Sequence, residues 1–441
     1  MQRKSDAIGW FLFGIGSQLQ VVASLSFTEI FVLLVAPILF LRGEYAQMRK
    51  SGVHTFFIVS LLVLGGCIIN YLYFGASGYY ALRRFAQVAI FVCAVPVSHW
   101  MIRRDMSCVK WLVLGSAISG VLCVFVFQKS VEVTMSGREY ADIAGGAIFW
   151  IQRIGPFITA PIIGWYLQLP RAYSIAAPLA FAGYCAISSA SGRSNALSLL
   201  GFAALVIIGG KKVRQIKRIH KIFWMLVVVA IISISLVTKA YSWLASNGTL
   251  GELARKKYES QSRGKSGVLS LLIGGRAESV IGIYACCHHP ILGFGLDGRD
   301  PEGYWERFLS DYGTDEDIRG YLLTAERFAK MGFRLEDGGI PTHSYVGAFW
   351  TYYGIWGLIY WIYFGFVMLR YLKDDAYVIP QWYAWIACSM PAIFWNILFS
   401  PVSNRVGLPM ILVACLYIRS IRLGKRRIPQ RIAMEIERYA R

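Results

Sequence analysis

Apolar windows of about 20 residues without charge recur along this chain, and they constrain its fold more than any other feature. Each is long enough to cross a hydrocarbon layer roughly 30 Å thick as a helix. Hydrophobic residues make up 56% of the 441 residues and charged residues only 16%. Soluble domains of this size do not bury so much apolar surface. Because alternating segments of the outer-membrane barrel type are absent from the sequence, it predicts an all-α integral membrane protein.

Twelve apolar segments qualify as transmembrane helices, near residues 8–24, 28–42, 55–73, 78–102, 108–127, 147–168, 172–190, 195–210, 222–241, 345–369, 380–398 and 405–419. One long polar stretch separates the ninth from the tenth. The predicted organisation is therefore transmembrane helices 1–9 (1–244), a large extracytoplasmic loop containing short helices (245–342), transmembrane helices 10–12 (343–419) and a basic cytoplasmic tail (420–441). Within the loop, helices are expected at 267–288 and 319–332.

The net charge of +20, from 45 Lys and Arg against 25 Asp and Glu, would indicate a nucleic-acid partner in a soluble protein. In a membrane protein the positive-inside rule explains it better, because the basic residues concentrate in alternate connections between spans. This pattern places both termini in the cytoplasm and predicts membrane lipids, not nucleic acid, as partners. The loop at 245–342 then faces outward, and it holds 14 of the 25 acidic residues. A loop of this length is usually functional, so we expect the chemistry on that side.

Three residues at the outer side have side chains suited to an anionic substrate: Arg193, Arg276 and His343. A guanidinium fork suits the several oxygens of a diphosphate. A neutral imidazole can take a proton from a sugar hydroxyl near neutral pH. Each has an ordinary alternative, since interfacial arginines extend toward lipid headgroups and interfacial histidines serve as polar anchors. The residues alone leave both interpretations open.

Charges inside predicted spans are further candidates, because a charge in the membrane is costly without a partner or a function. Arg83 and Arg84 lie in the outer third of the fourth span, and Arg153 lies in the sixth. They could line a groove for the donor diphosphate or pair with other helices. Glu29, near the outer end of the second span, is the expected partner of one of them.

Three other features receive structural interpretations. The run Cys-Cys-His-His at 286–289 invites a metal hypothesis, but adjacent ligands on a helix point about 100° apart and no second ligand pair has zinc spacing. The acidic run at 315–317 resembles a metal-binding motif and fits a solvated loop better. Aromatic residues of the tenth span fit an interfacial belt better than a sugar-stacking surface. These are Tyr345, Trp350, Tyr352 and Tyr353.

A spaced motif begins at His343. His343-Ser344, nine residues, Gly354, two residues and Gly357 resemble the signature of bacterial O-antigen ligases. Arg193 and Leu197 match the R-x3-L motif that precedes a span in the same family. Gly275-Arg276 and the His-Pro-Ile-Leu-Gly-Phe-Gly run at 289–295 are similar to the start and end of that family's loop helix. The resemblance extends to the order and sidedness of these elements.

The resemblance implies a GT-C-like fold and a glycan transferase in the bacterial inner membrane with its active site facing the periplasm. The donor would be a glycan linked to undecaprenyl diphosphate, and the acceptor a sugar hydroxyl of lipid A-core. Arg193 and Arg276 would hold the diphosphate, with Arg83 and Arg84 as additional donor-side candidates. His343 would position or deprotonate the acceptor hydroxyl, which attacks with inversion. No metal or cofactor is implied.

Two alternatives remain open. An O-antigen or exopolysaccharide polymerase would use another lipid-linked glycan as its acceptor, and polymerases carry loose versions of the same motif. A lipid-linked sugar flippase would instead place functional charges near the membrane midplane and show inverted repeats. A protein O-oligosaccharyltransferase fits less well, because those relatives usually carry a long C-terminal extension.

Overall fold

The computed structural model of the protein describes residues 2–17, 19–22, 25–125, 277–300, 302–304, 344–375 and 405–424, with scattered residues among 228–258, at 307–308, 340 and 342, and among 378–398. Most of them are helical. The helices are α1 (Gln2–Gly16), α2 (Phe27–Leu41), α3 (Glu44–Ser51), α4 (His54–Phe74), α5 (Gly78–Arg104), α6 (Val109–Phe125), α7 (Ala277–His288), α8 (Tyr345–Tyr353), α9 (Ile355–Arg370) and α10 (Gly407–Arg422). A 3₁₀ turn (Met106–Cys108) precedes α6, a π turn (Tyr371–Asp375) continues α9, and strands β1 (Gln20–Val22) and β2 (Leu25–Ser26) follow α1.

Long apolar helices of the predicted kind are present. Three are long and apolar enough to cross a membrane, namely His54–Phe74, Gly78–Arg104 and Ile355–Asp375. Helices α2, α4, α5, α6 and α10 coincide with the second to fifth and twelfth predicted spans, with ends within about three residues. A mostly helical architecture, with helices long and apolar enough to cross a membrane, is thus confirmed in the described part of the chain. The predicted sixth, seventh and eighth spans, most of the ninth and the helix at 319–332 lie outside the described residues.

The first predicted span, 8–24, is wrong at its end. Helix α1 ends at Gly16, and β1 and β2 form an antiparallel hairpin that pairs Gln20 with Ser26. Gly16 abuts Thr28 at the start of α2, so a Cβ there would lie 2.7 Å from the Thr28 hydroxyl. The apolar run continues past Gly16, but the chain turns back at that point. Hydropathy measures apolar content and does not detect where a helix ends.

The tenth predicted span, 345–369, is two helices rather than one. The break is Gly354, which adopts φ +64° and ψ −152°, a conformation that is essentially restricted to glycine. Helix α8 therefore ends at Tyr353, and the segment long enough to cross a membrane starts at Ile355 and extends through the π turn.

Helix α5 is the centre of the described bundle. It packs against α2, α4 and α10, and 72% of its most apolar window is buried, against 39% for α4 and α9. The starts of α2 and α10 meet through Glu29 and Arg405. The ends of α5 and α10 lie together, where His99 of α5 packs against Tyr417 of α10. Helices α2, α5 and α10 therefore run in the same direction. We call the end where they start, with the 289–298 turn, the loop end, and the opposite end the basic end.

A buried polar network joins α3 to α5 at the basic end. His99 Nδ1 lies 2.6 Å from Glu44 Oε1, and His99 Nε2 lies 2.8 Å from Ser51 Oγ. Arg103 donates to both Glu44 oxygens, at 3.3 and 2.8 Å. Burial raises the pKa of the Glu44 carboxyl, but the hydrogen bonds from His99 and Arg103 outweigh it and the pKa is lowered overall. The network fixes the α3 helix against the core.

A second ionic cluster at the basic end joins the π turn to α10. The buried Asp375 carboxylate lies 2.5 Å from Arg422 Nε and 3.5 Å from Arg419 Nη1. Helix α10 thus continues to Arg422, three residues beyond the predicted end of its span at 419. Arg103 and Arg104 also lie at this end, which is the distribution expected from the positive-inside rule. Which side of a membrane the basic end faces stays a prediction.

Candidate functional site

The turn at 289–298 docks onto the junction between α8 and α9. Phe294 N donates to Thr351 O at 2.8 Å, and Ile355 N donates to Ile291 O at 2.9 Å. Trp350 Nε1 donates to Pro290 O at 2.9 Å. The His-Pro-Ile-Leu-Gly-Phe-Gly run singled out from the sequence is therefore the segment that closes the loop end over α8.

The glycines of the spaced motif have a steric role in this contact. A Cβ on Gly354 would clash with Ile291 O, and one on Gly357 would clash with Phe349 O. Gly293, with φ +69°, likewise touches Trp350 O so closely that no side chain fits. Asn70 at the end of α4 completes the junction, because its Nδ2 donates to Leu292 O at 2.7 Å and to Tyr352 O at 2.8 Å. Backbone thus contacts backbone here, and only glycine permits it.

Helix α8 begins two residues after the motif histidine. Ser344 is its N-cap residue, with a fully buried side chain whose Oγ accepts from Gly347 N at 2.8 Å. The serine of the motif thus starts the helix. His343 lies outside the described residues, while its chain neighbours Thr342 and Ser344 are described.

Tyr352 is a hub that joins four parts of the loop end. The Arg84 guanidinium carbon from α5 lies 3.4 Å from the centroid of its ring. The Tyr352 hydroxyl lies 3.0 Å from Thr342 Oγ1. Gly298 packs at the ring edge, where an added Cβ would be 2.9 Å from Tyr352 Cε1, and Gly298 O accepts from Ile340 N at 2.8 Å. The hub thus connects α5, α8, the 289–298 turn and the segment that leads into His343.

Arg84 has no carboxylate partner among the described residues. Its Nη1 donates to Gln87 Oε1 at 3.4 Å, but its Nε is buried and finds no acceptor in the described part of the chain. The neighbouring Arg83 is exposed. A partly buried guanidinium stacked on a ring, with an unused buried donor, is chemically suited to an anion. Of the two donor-side candidates on α5, Arg84 is the one that lies at the hub.

The prediction that Glu29 pairs with Arg83 or Arg84 was wrong, and the third candidate, Arg153, lies outside the described residues. Glu29 pairs with Arg405 at the start of α10, with Arg405 Nε 2.6 Å from Oε1 and Nη2 3.1 Å from Oε2. Ser26 N also donates to Glu29 Oε2 at 2.8 Å, within a capping box at the start of α2. The sequence offered one signal for this pair, an arginine at the outer end of the twelfth predicted span. Glu29 therefore does not neutralise Arg84.

The aromatic belt expected in the tenth span was also wrong for three of its four members. Tyr345, Tyr352 and Tyr353 are buried inside the protein, with 1%, 7% and 1% of their surface exposed. They belong to α8, which packs against α9, α4 and α7. Trp350 is partly exposed. Because the helix breaks at Gly354, these rings face the protein interior. Hydrophobic periodicity over a continuous span does not predict this.

The Cys-Cys-His-His run does not gather its four side chains around one point. Cys286 is buried against Thr351 at 3.3 Å, and burial raises the pKa of its thiol to about 12, so it is not a thiolate. His288 stacks on Tyr304 with ring centroids 4.6 Å apart, while His289 Nε2 lies 3.0 Å from Glu302 Oε1. Within the described residues, no group of three or more possible ligands surrounds one site.

Glu302 has a further partner in this loop. Tyr304 donates its hydroxyl to Glu302 Oε2 at 2.6 Å, and this bond lowers the pKa of Glu302 and raises that of Tyr304. The carboxylate thus stays ionised and holds the His289 ring at the surface of the turn.

The structure leaves three predicted site residues untested. Arg193, Arg276 and His343 lie outside the described residues, as do Arg153 and the acidic run at 315–317. Arg276 directly precedes α7, which confirms a helix over the second half of the expected 267–288 segment.

Comparison of the chain with models of protein families, with curated proteins and with solved structures finds no match.

Proposed function

We propose that this protein transfers a glycan from undecaprenyl diphosphate to an acceptor sugar hydroxyl at the loop end. The observation that carries the proposal is the pairing of two features at one place. Arg84, a partly buried cation without an acidic partner in the described residues, is joined through Tyr352 to Thr342, which precedes the motif histidine. A donor-side cation and an acceptor-side base are the two groups that such a transfer requires.

In the proposed reaction the acceptor oxygen forms a bond to the anomeric carbon as the bond from that carbon to the phosphate oxygen breaks. His343 orients the acceptor hydroxyl or takes its proton, and undecaprenyl diphosphate leaves. Arg84, Arg193 and Arg276 stabilise the negative charge that develops on the leaving oxygen. The diphosphate is already a good leaving group, so the protein mainly orients two substrates and neutralises charge.

The proposed site is the loop end, facing the periplasm of a bacterial inner membrane. A site at the ends of the spans would suit a donor whose polyprenyl tail remains in the bilayer while its diphosphate lies at the interface. Lipid A-core is the preferred acceptor, because the complete His-Ser-x9-Gly-x2-Gly spacing resembles the ligase signature. A second lipid-linked glycan as acceptor would make the enzyme a polymerase.

The test uses the purified full-length protein in detergent with an undecaprenyl-diphosphate glycan and a chelator, with and without lipid A-core. We expect product on lipid A-core, and we expect Arg84→Gln to lower kcat/KM about 100-fold. The matched control is Arg104→Gln, because Arg104 lies at the opposite end of α5 with a side chain 43% exposed. His343→Ala should abolish transfer without weakening the binding of undecaprenyl diphosphate.

The outcomes separate the competing functions. Longer lipid-linked glycan in the absence of lipid A-core would identify a polymerase. Movement of the donor across vesicles without any transfer would identify a flippase and overturn the proposal. Equal rates for the wild type and Arg84→Gln would remove Arg84 from the donor site.

A further inference from the structure

We propose that Tyr352 is a positioning residue that couples the donor-side arginine to the segment carrying the acceptor-side histidine. The inference rests on the proposed function and deepens it, because neither Tyr352 nor Thr342 belongs to the sequence motifs. It is carried by two contacts that use different parts of one side chain. The ring of Tyr352 meets Arg84, and its hydroxyl meets Thr342.

The ring contact fixes the direction of the Arg84 guanidinium. A free arginine side chain has many rotamers, and ordering them at the moment of binding weakens affinity. At 3.4 Å from the ring centroid the guanidinium stacks on Tyr352, while Gln87 holds Nη1 from the side. An arginine has five N–H donors, so stacking and a single bond to Gln87 leave most of them for an anion. The ring therefore presents a preorganised fork to a diphosphate.

The hydroxyl contact fixes the chain on one side of His343, and α8 fixes it on the other. Thr342 Oγ1 lies 3.0 Å from the Tyr352 hydroxyl, and Ser344 is tied to α8 by its cap to Gly347 N. The backbone entering and leaving His343 is thus anchored to the same helix. Loss of the first anchor would leave the segment held by the Ser344 cap and by the more distant bond from Ile340 N to Gly298 O.

Tyr352 is itself held firmly enough to act as a reference point. Its carbonyl accepts from Asn70 Nδ2 at 2.8 Å, and its ring edge contacts Gly298. The side chain is 7% exposed. A hub supported on the backbone, the ring edge and the ring face keeps the donor and acceptor groups in one geometry, which a two-substrate reaction needs.

The two contacts can be separated by substitution. Tyr352→Phe keeps the ring and removes the hydroxyl, so it should preserve the Kd for undecaprenyl diphosphate and lower kcat about tenfold. Tyr352→Leu removes both contacts and should also raise that Kd several-fold. Thr342→Val should lower kcat as much as Tyr352→Phe does. The kcat of the Thr342→Val/Tyr352→Phe double variant should be no lower than that of either single variant. Thr342→Ser should retain the wild-type kcat.

The matched control is Tyr360→Phe. Tyr360 is buried in the same core, and its hydroxyl has no hydrogen-bond partner among the described residues. Removing it should leave both kcat and the donor Kd at their wild-type values. Apparent Tm values for all variants show whether each protein is folded, and Thr342→Val tests the same contact should Tyr352→Phe fail to fold.

The results distinguish the two proposals. Wild-type protein that binds the donor but transfers no glycan would overturn the proposed function. Wild-type transfer with an unchanged kcat in both Tyr352→Phe and Thr342→Val would leave the function standing and overturn only the coupling. Strictly additive losses in the double variant would also overturn it, because two partners of one hydrogen bond cannot act independently.

Discussion

Replacing Gly354 with alanine should destabilise the protein, whereas the same replacement at Gly365 should not. Gly354 has φ +64° and ψ −152°, and an alanine held there costs about 1–3 kcal/mol in backbone strain. Its Cβ would also clash with Ile291 O. Moving that carbonyl away breaks the bond from Ile355 N, which is worth roughly 0.5–1.5 kcal/mol. Together these effects should lower the free energy of unfolding by roughly 2–4 kcal/mol.

Gly365 is the matched control because it lies within helix α9. Its added Cβ would meet its nearest neighbour, Phe394 Cε1, at 3.8 Å, an ordinary contact. Alanine is favoured over glycine in a helix by about 1 kcal/mol, so Gly365→Ala should be neutral or slightly stabilising. The two substitutions add the same methyl group to neighbouring parts of the chain and are expected to differ in sign.

Thermal unfolding in detergent measures the difference. For a chain of this length, 1 kcal/mol corresponds to about 2 °C or less, so Gly354→Ala should lower the apparent Tm by at most roughly 4–8 °C. Hydrogen exchange should also increase at 290–298, where the turn loses its contact with α8. An unchanged apparent Tm and unchanged protection in this turn would refute the reasoning, because the backbone contact at Gly354 would then contribute nothing.

Two further predictions concern the ionic contacts. Arg405→Met should lower the free energy of unfolding by roughly 2–3 kcal/mol. This is below the range for a wholly buried pair, because the Arg405 side chain is 20% exposed. Adding Glu29→Gln should restore most of the apparent Tm. No rescue in the double variant would mean that Arg405 acts through packing. Because the pKa of Glu44 is lowered in the folded state, its stabilisation is present above its ordinary pKa of 4.5 and is lost as the pH falls through the lowered value. Glu44→Gln should therefore lower the apparent Tm at pH 7 and flatten its decline below about pH 4.5, and a parallel decline in both proteins would contradict this.

The helices at 54–74 and 78–104 could be predicted because each is a charge-poor window with a boundary signal. Helix α4 ends at Phe74, before Gly75 with φ +67°, and α5 ends with Arg103 and Arg104 before an extended Asp105. The hairpin at 20–26 and the break at Gly354 could not. Both depend on local backbone conformation within an apolar run, and hydropathy is the same whether the run continues straight or turns.

Some features of the candidate site could likewise be predicted from the sequence, and others could not. Arg84 was identifiable because an arginine at that depth in a span is costly without a role. Its stacking on Tyr352 was not, because it depends on α8 being a separate helix that buries its aromatic face. The glycines of the spaced motif were visible as a pattern, but the reason for them lies in the docked 289–298 turn. That contact brings together segments about 60 residues apart in sequence.

The ion pair between Glu29 and Arg405 has a consequence for biosynthesis. The two residues are 376 positions apart, so the glutamate emerges from the ribosome long before its partner. At about 5–20 residues per second the delay is roughly 20–75 s. During that interval, among the described residues, the cap at the start of α2 is what stabilises the carboxylate. A chain truncated before Arg405 would lack this ion pair permanently, so its formation has to wait until the end of synthesis.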